Sequence, residues 1–538
     1  MTVRRLGLPL LALWLVLVLV SLFTRSYIPI DETRYVTVAW NMWLRGDYLV
    51  PFLNGEAYSH KPPLLFWLMN LGWGLFGVND WWPRLVPSLF SLGSAWLTVS
   101  IARVLWPQDA SVSRIAPMIL LGSVLWTVFT TATMFDMMVA FFTLLGVLGI
   151  VQAWNGKIRS GWGLVALAIG GGLLAKGPTI LLQILPLGLL APWWGGAGSQ
   201  VWRRWYLCLM AALVLGALIA LAWAIPAGIH GGKDYQHAIF WGQTADRMVN
   251  SFAHRRPLWW YVPWLPVLLF PWLLWLPVCR GLLDVRRQLN DLGSRLCLAW
   301  LLPVFLAFCF ISGKQPHYLL PIFPAFALLA ARGLSREAQA TRRDVLPAAV
   351  VTLLTGAALI ALPHYAAVHH VAPWLSDIPV SGGLVLIMTA LLLLLMRPGH
   401  LLSEVWKMTL LSGLVVALLY LAVIRTAGLA YDIRPISAQL KILEMAGVPL
   451  AHVGKYHGQY QFLGRLRVAP ETVASEHLGS WFAAHPNGRA IVYFSSRLSL
   501  RDLHADYVQP YLGDNVAIIG RDAWPPKVAE LVASPVSE

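Results

Sequence analysis

Apolar runs of about 17–25 residues, divided by short polar or Gly/Pro-rich breaks, recur along the first four-fifths of the chain. Each is long enough to cross a hydrocarbon core of ~30 Å as a helix. The pattern predicts thirteen spans, near residues 7–23, 82–103, 115–130, 136–153, 161–174, 177–192, 206–226, 258–278, 296–311, 317–332, 345–363, 381–396 and 407–424. The first, in "MTVRRLGLPLLALWLVLVLVSLF", has a basic start, an apolar stretch too long for a signal-peptide core and no small-x-small cleavage site. It reads as an uncleaved signal anchor. The segment "LLFWLMNLGWGLFG" (64–77) is apolar too, but short, and it carries Asn70 and several glycines. Counting it as a span would invert every later loop, so it is expected to lie along the membrane or re-enter it.

The loops support that parity. With a cytoplasmic N-terminus, alternate loops should be rich in Lys and Arg. They hold Arg103 and Arg114, Lys157 and Arg159, Arg203 and Arg204, then Arg280, Arg286, Arg287 and Arg295, then Arg332, Arg336, Arg342 and Arg343, and finally Arg397 and Lys407. Thirteen crossings then put the end of the chain outside. From about residue 430 the period shortens: "RAIVYF" and "NVAIIG" look like strands, and "SAQLKILEMAG" and "SEHLGSWFAAH" like helices. The expected fold class is an all-α polytopic membrane protein of about thirteen transmembrane helices with a small C-terminal α/β domain. The expected division is 1–429, with a first external loop at 24–81 carrying interfacial helices, and 430–538.

Composition agrees: 58% of the 538 residues are hydrophobic and 12% charged. The net charge of +15 invites a nucleic-acid partner, but the basic residues are scattered among short loops as topology signals, so none is expected. Cys208, Cys279, Cys297 and Cys309 lie in or beside apolar spans without metal spacing, which argues against a disulfide framework or a Cys-based metal site.

Once the topology signals are set aside, the remaining ionisable residues beside spans mark function, because charge near hydrocarbon is costly. They fall on the external side. "DETRY" (31–35) and "YSHKPPL" (58–64) lie in the first loop, "TMFDMM" puts Asp136 at a span end, and "LLAKGPT" puts Lys176 at a hairpin. The loop 231–261, with "HRRPLWWY", and "SGKQPHYLLP" (312–321) complete the set; no matching polar cluster is visible on the cytoplasmic side. Lys61, Lys176, Arg255, Arg256 and Lys314 are candidate cations for an anionic group, most simply a phosphate. Asp31 and Asp136 are candidates for orienting or deprotonating an acceptor. Trp259, Trp260, Tyr261 and Tyr318 suit an interface belt or a sugar-stacking wall, and His317, His364, His369 and His370 read as loop residues.

"IDETRY", "RGDYLVPFLNGEAYSHKPPLLFW" and "FGVNDWWPRL", followed in order by "AKGP" and "SGKQPHYLLPIFP", resemble the polyprenyl-phosphate-dependent glycosyltransferases of the GT-C class over about residues 25–330. The aminoarabinose transferases that modify lipid A are the nearer likeness and the protein O-mannosyltransferases the more distant. The resemblance implies a bacterial inner-membrane enzyme that moves a sugar from undecaprenyl phosphate to lipid A or another envelope acceptor. It implies Asp31 as the essential carboxylate with Tyr35 beside it, and Asp136 as the second. Lys61 would bind the carrier phosphate, assisted by an Arg of the His254–Arg256 segment and by Tyr318. Arg34, Tyr58, Lys176 and Lys314 join the substrate-binding candidates. Aminoarabinose transferases usually carry Glu just before that Lys, associated with a metal, whereas His60 stands here. Imidazole is a competent metal ligand, so His60 and His254 are the candidates for a divalent ion. Two other readings stay open: a protein acceptor, or a transporter or flippase for a lipid-linked sugar.

Overall fold

A computed structural model describes residues 4–196, 202–242, 255–336, 340–369, 373–495 and 504–523. The chain enters through helix α1 (Arg4–Thr24), whose leucines and valines cover every face rather than one stripe, the mark of a lipid-exposed span. Helix α2 (Asp31–Arg45) is different: it opens on two acids, buries the face of Val36, Ala39 and Trp40 and ends at Gly46, whose φ of 65° permits a left-handed stop. A hairpin of β1 (Phe52–Leu53) and β2 (Glu56–Ala57) leads to α3 (Leu64–Phe76) and then α4 (Trp81–Leu105).

The segment between α1 and α4 leaves and returns at one end of the bundle. Arg84, in the first turn of α4, donates to the carbonyls of Ser21 (2.7 Å) and Leu22 (3.2 Å) at the end of α1, and the Tyr27 hydroxyl donates to the Asp80 carbonyl. Helix α3, about 20 Å long at 1.5 Å per residue, therefore makes no net crossing. It packs on α2 through Asn70, which donates to the Ala39 carbonyl at 3.1 Å.

Helices α5 (Ala110–Leu121) and α6 (Val124–Thr130) follow with a 69° bend between them; α7 (Asp136–Trp154), α8 (Ile158–Lys176) and α9 (Thr179–Leu189) come next. Among the described residues nine helices are long and apolar enough to cross a membrane, and the bent α5–α6 pair makes a tenth. Two expected spans, α9 and Val380–Leu395, appear as shorter apolar helices. The span expected at 258–278 is not one helix. Val262–Trp264, Leu265–Leu268, Trp272–Leu274 and Leu276–Leu283 are separate short turns. Pro263, Pro266, Pro271 and Pro277 explain this, since each lacks an N–H and its ring clashes with the preceding turn. The helix expected at 206–226 instead runs Trp202–His237, kinked at Gly232, and so absorbs part of the expected loop 231–261. His364 and His369, expected in loops, lie within helix Leu346–His369; His370 lies outside the described residues.

Beyond Arg434–Met445, a five-stranded sheet forms from β3 (Leu450–Val453), β4 (Glu471–Val473), β5 (Arg489–Phe494), β6 (Ala505–Tyr511) and β7 (Asp514–Ile519) in the order β4-β3-β5-β7-β6. Alternation along β5 puts Ala490, Val492 and Phe494 in a core with Trp481 and Phe482, and Ile491 and Tyr493 in one with Ile436 and Leu440. The sheet is buried on both faces, hence the near-continuous apolar runs that made these strands legible. The segment 454–466 binds this region to α2. Thr37 donates to the Gly458 carbonyl at 2.7 Å, Trp40 to the Leu466 carbonyl at 2.9 Å, and Phe462 stacks on Trp73 with ring centres 5.1 Å apart.

Candidate active site

In "DETRY" the helical period sends the two acids to different surroundings. Asp31 is half exposed, with its neighbours Arg34 and Tyr35 one turn on: Arg34 pairs with Asp31 Oδ1, and the Tyr35 hydroxyl stands 3.5 Å from the same oxygen. Glu32, one position further round, is buried. It accepts from Arg25 at 2.6 and 3.1 Å, from the Ile28 amide at 2.7 Å and from the Thr133 amide at 2.5 Å. Burial alone would raise the Glu32 carboxyl, but Arg25 and the two amides outweigh it and hold it below the ordinary range. Arg25 also donates to the Thr131 carbonyl. This buried pair thus joins the end of α1, the start of α2 and the α6–α7 turn. Glu32 is structural, and Asp31 is the carboxylate presented outward. Burial pushes the Tyr35 phenol well above its usual value, so it stays protonated as a donor.

The α6–α7 turn delivers Asp136 at the start of α7, and Lys176 ends α8, where Gly177 (φ 72°) stops the helix. The helices run antiparallel side by side, so a carboxylate at one N-terminus meets an ammonium at the neighbouring C-terminus. Both placements suit the helix dipoles. Lys176 Nζ donates to Asp136 Oδ1 at 2.6 Å, with Asp136 buried and Lys176 mostly so. Lys176 Nζ also sits 5.0 Å from the centre of the Tyr318 ring. His317, expected to be a mere loop residue, lies in this group: its ring is 5.2 Å from Phe129 and 4.8 Å from Tyr318. Asp31, Lys61, Asp136 and Lys176 all act electrostatically on it. Its only sequence signal was adjacency to Tyr318.

Tyr58 is buried beside Phe66, and Phe66 packs on Phe135, which also meets Tyr35 at 4.9 Å. Lys61 is half-buried, within electrostatic reach of Asp136. The structure thus brings Asp31, Arg34, Tyr35, Tyr58, Lys61, Asp136, Lys176 and Tyr318 together at one end of the bundle. The remaining cations join through 312–318. Arg255 bridges Gly313, the Arg256 amide donates to the Ser312 carbonyl at 3.1 Å, and Lys314 Nζ donates to the carbonyls of Arg256 (3.0 Å) and Ile311 (2.6 Å). Tyr261, expected in an aromatic belt, is fully buried and donates to the Gln315 carbonyl at 3.1 Å. Trp259 is exposed, and Trp260 lies 6.0 Å below the Arg256 guanidinium.

Of the candidate metal ligands, His60 is exposed with its ring 5.3 Å from Tyr58, and His254 lies outside the described residues. Among the described residues no three His, Cys, Asp or Glu side chains gather as a metal ion requires. His60 does not fit a metal site with its described neighbours.

The opposite end of the bundle carries a polar cluster that the sequence did not reveal. Arg332 pairs with Asp109 (2.6 Å) and Asp291 (2.9 Å), Arg336 with Asp291 (2.5 Å), and Trp106 donates to Asp291 at 2.8 Å. Arg280 holds Asp344 at 2.7 Å.

A membrane bundle with its ionisable groups gathered at one end between bent and broken helices, and a small sheet docked over its first loop, is the GT-C fold. The structure matches crystalline ArnT from Cupriavidus metallidurans bound to undecaprenyl phosphate with a TM-score of 0.76, covering 97% of this chain and all of that one at 20% identity. It matches the apo oligosaccharyltransferase of Archaeoglobus fulgidus with a TM-score of 0.51, covering 90% of this chain and 69% of that one at 12% identity. Residues 60–230 match the family model described as dolichyl-phosphate-mannose-protein mannosyltransferase. The chain is 30% identical over 369 residues to the undecaprenyl phosphate-alpha-4-amino-4-deoxy-L-arabinose arabinosyl transferase of Erwinia tasmaniensis, a match that spans 65% of this chain and 64% of that relative's length. The chain is a multi-pass membrane protein with the GT-C fold, and it spans a little under two thirds of the length of the curated relatives it resembles.

Proposed function

We propose that the protein transfers a sugar from undecaprenyl phosphate to an acceptor in the bacterial envelope. Lipid A is the preferred acceptor, and 4-amino-4-deoxy-L-arabinose, the sugar for which the Erwinia relative is named, is the preferred donor group. The observation that carries the reading is the gathering of Lys61, Lys176 and the Arg255–Arg256 segment around two carboxylates and Tyr318 at one bundle end. Cations in a water-poor site stabilise the charge that develops on a departing phosphate, and this lowers the barrier more than deprotonating the acceptor does. Lys61 and Arg256 neutralise the polyprenyl phosphate. Asp31 orients the acceptor oxygen and takes its proton, while that oxygen bonds to the anomeric carbon and the carbon–phosphate oxygen bond breaks. One displacement inverts the anomeric configuration. Asp136 acts through Lys176, fixing the ammonium against Tyr318.

In this reading residues 1–429 form the transferase body and 430–538 a periplasmic domain. The protein lies in the inner membrane with its N-terminus in the cytoplasm. The test is purified protein in detergent with a labelled undecaprenyl-phosphate sugar, offered lipid A or peptide acceptors. Labelled lipid A supports the proposal, and labelled peptide moves the acceptor to protein. Absence of any labelled product under conditions where lipid-linked sugar moves across vesicles would overturn it in favour of a flippase.

A further inference from the structure

The end of the bundle opposite the candidate active site holds a basic cavity that the proposed reaction does not use. It measures about 470 Å³ and is lined by Arg287, Asn290 and Arg336. The sequence "LLDVRRQLN" (282–290) builds one wall. It forms the short helix Val285–Leu289, in which Arg286 and Arg287 point to the surface beside exposed Leu283, Val285 and Leu289. An exposed apolar row mixed with arginines is the surface a chain presents at the headgroup level of a bilayer. The other wall is the end of the helix Phe323–Arg336. Arg336 Nη1 donates to the Arg287 carbonyl at 3.3 Å, which joins the two sides of this open pocket.

The charges that face this cavity do not cancel. Asp284 holds Arg287 at 3.1 Å, and Asp291 is shared between Arg332 and Arg336, with Asp109 on the far side of Arg332. Against these three carboxylates stand Arg286, Arg287, Arg332 and Arg336, while Arg295 donates to the carbonyls of Trp194 and Leu289 close by. Among the described residues the surplus is positive, and the cavity is far larger than a bare phosphate ion needs.

The geometry points to a binding site for an anionic phospholipid at this end of the bundle. Its phosphodiester headgroup lies between Arg287 and Arg336, and its acyl chains run along the exposed leucines. Guanidinium pairs recognise phosphate oxygens bidentately, and Asn290 supplies a further polar contact for the headgroup. The site gives the leaflet facing the catalytically idle end a fixed lipid and anchors the break between the proline-interrupted segment and helix Leu292–Phe310.

The experiment uses the full-length protein in detergent, with phosphatidylglycerol, phosphatidylcholine or inorganic phosphate added, read by thermal unfolding and by native mass spectrometry of retained lipid. Phosphatidylglycerol is expected to raise the unfolding midpoint and to stay bound, phosphatidylcholine to do neither. Arg287→Ala and Arg336→Ala are each expected to weaken phosphatidylglycerol binding about fivefold, and added salt to weaken it further. Arg336→Ala also breaks an ion pair and lowers basal stability; Arg287→Ala, whose side chain is mostly exposed, carries the test on a folded protein. Equal retention of phosphatidylglycerol by wild type and Arg287→Ala overturns the site. An equal shift from phosphatidylcholine overturns the charge recognition, and a full shift from inorganic phosphate alone overturns the lipid.

Discussion

The two ends of the helical bundle both concentrate charge, yet they are built in opposite ways. At the Asp109–Asp291 end, carboxylates and guanidiniums satisfy one another: Asp109 caps α5, Asp291 caps the helix Leu292–Phe310, and Arg332 ties both together. Those charges hold helix ends in register. At the Asp31–Asp136 end, Glu32 is consumed by Arg25, which leaves, among the described residues, two carboxylates and the six cations Arg34, Lys61, Lys176, Arg255, Arg256 and Lys314. Lys314 has carbonyls rather than acids as its partners. Charges paired between helix ends brace those helices and leave any excess at the surface, whereas cations gathered around two carboxylates inside the bundle end are prepared for an anionic ligand.

Mutations at the two ends should separate along this line. Asp31→Ala or Lys61→Ala should reduce transfer a hundredfold or more while the protein still inserts and melts normally, measured as labelled product per mole of folded enzyme. Full activity in either variant would sink the assignment. Arg332→Leu should do the reverse: it strands Asp109 and leaves Asp291 to Arg336 and Trp106, and should cost about 3 kcal/mol of stability, with near-normal specific activity in the folded fraction. Loss of activity without loss of stability would erase the contrast between the ends. Lys176→Met should lose both stability and activity, because it leaves Asp136 buried without its ammonium; Asp136→Asn/Lys176→Met together should regain the stability and not the activity. Tyr318→Phe keeps the ring under Lys176 and should cost only a few-fold, where Tyr318→Leu costs tenfold or more. The smallest effect is expected from His60→Ala, about threefold or less, because the ring is exposed and rests on Tyr58.

Much of the fold was legible because lipid and sheet interior both demand uniform apolar runs. The spans, the strands at 489–494 and 514–519, and the clustering of polar loops all follow from that demand. The segment at 258–278 was misread because hydropathy does not register proline's missing donor, and four prolines break the helix. The cluster of Asp109, Asp291, Arg332 and Arg336 was hidden for another reason. Its arginines are the same residues that signal topology, and sequence cannot tell a solvated loop charge from one held by an acid 223 residues away, as Arg332 is by Asp109.

By itself the sequence determined the membrane class, the apolar spans and the kinds of charged residue that stand beside them. Only the tertiary structure decided that Glu32 and not Asp31 is buried, that Asp136 and Lys176 form one pair, and that His317 belongs among them. The physical reason is that period and composition describe how one segment meets solvent or lipid. A charge next to hydrocarbon takes its role from the partner that neutralises it, and that partner comes from another part of the chain.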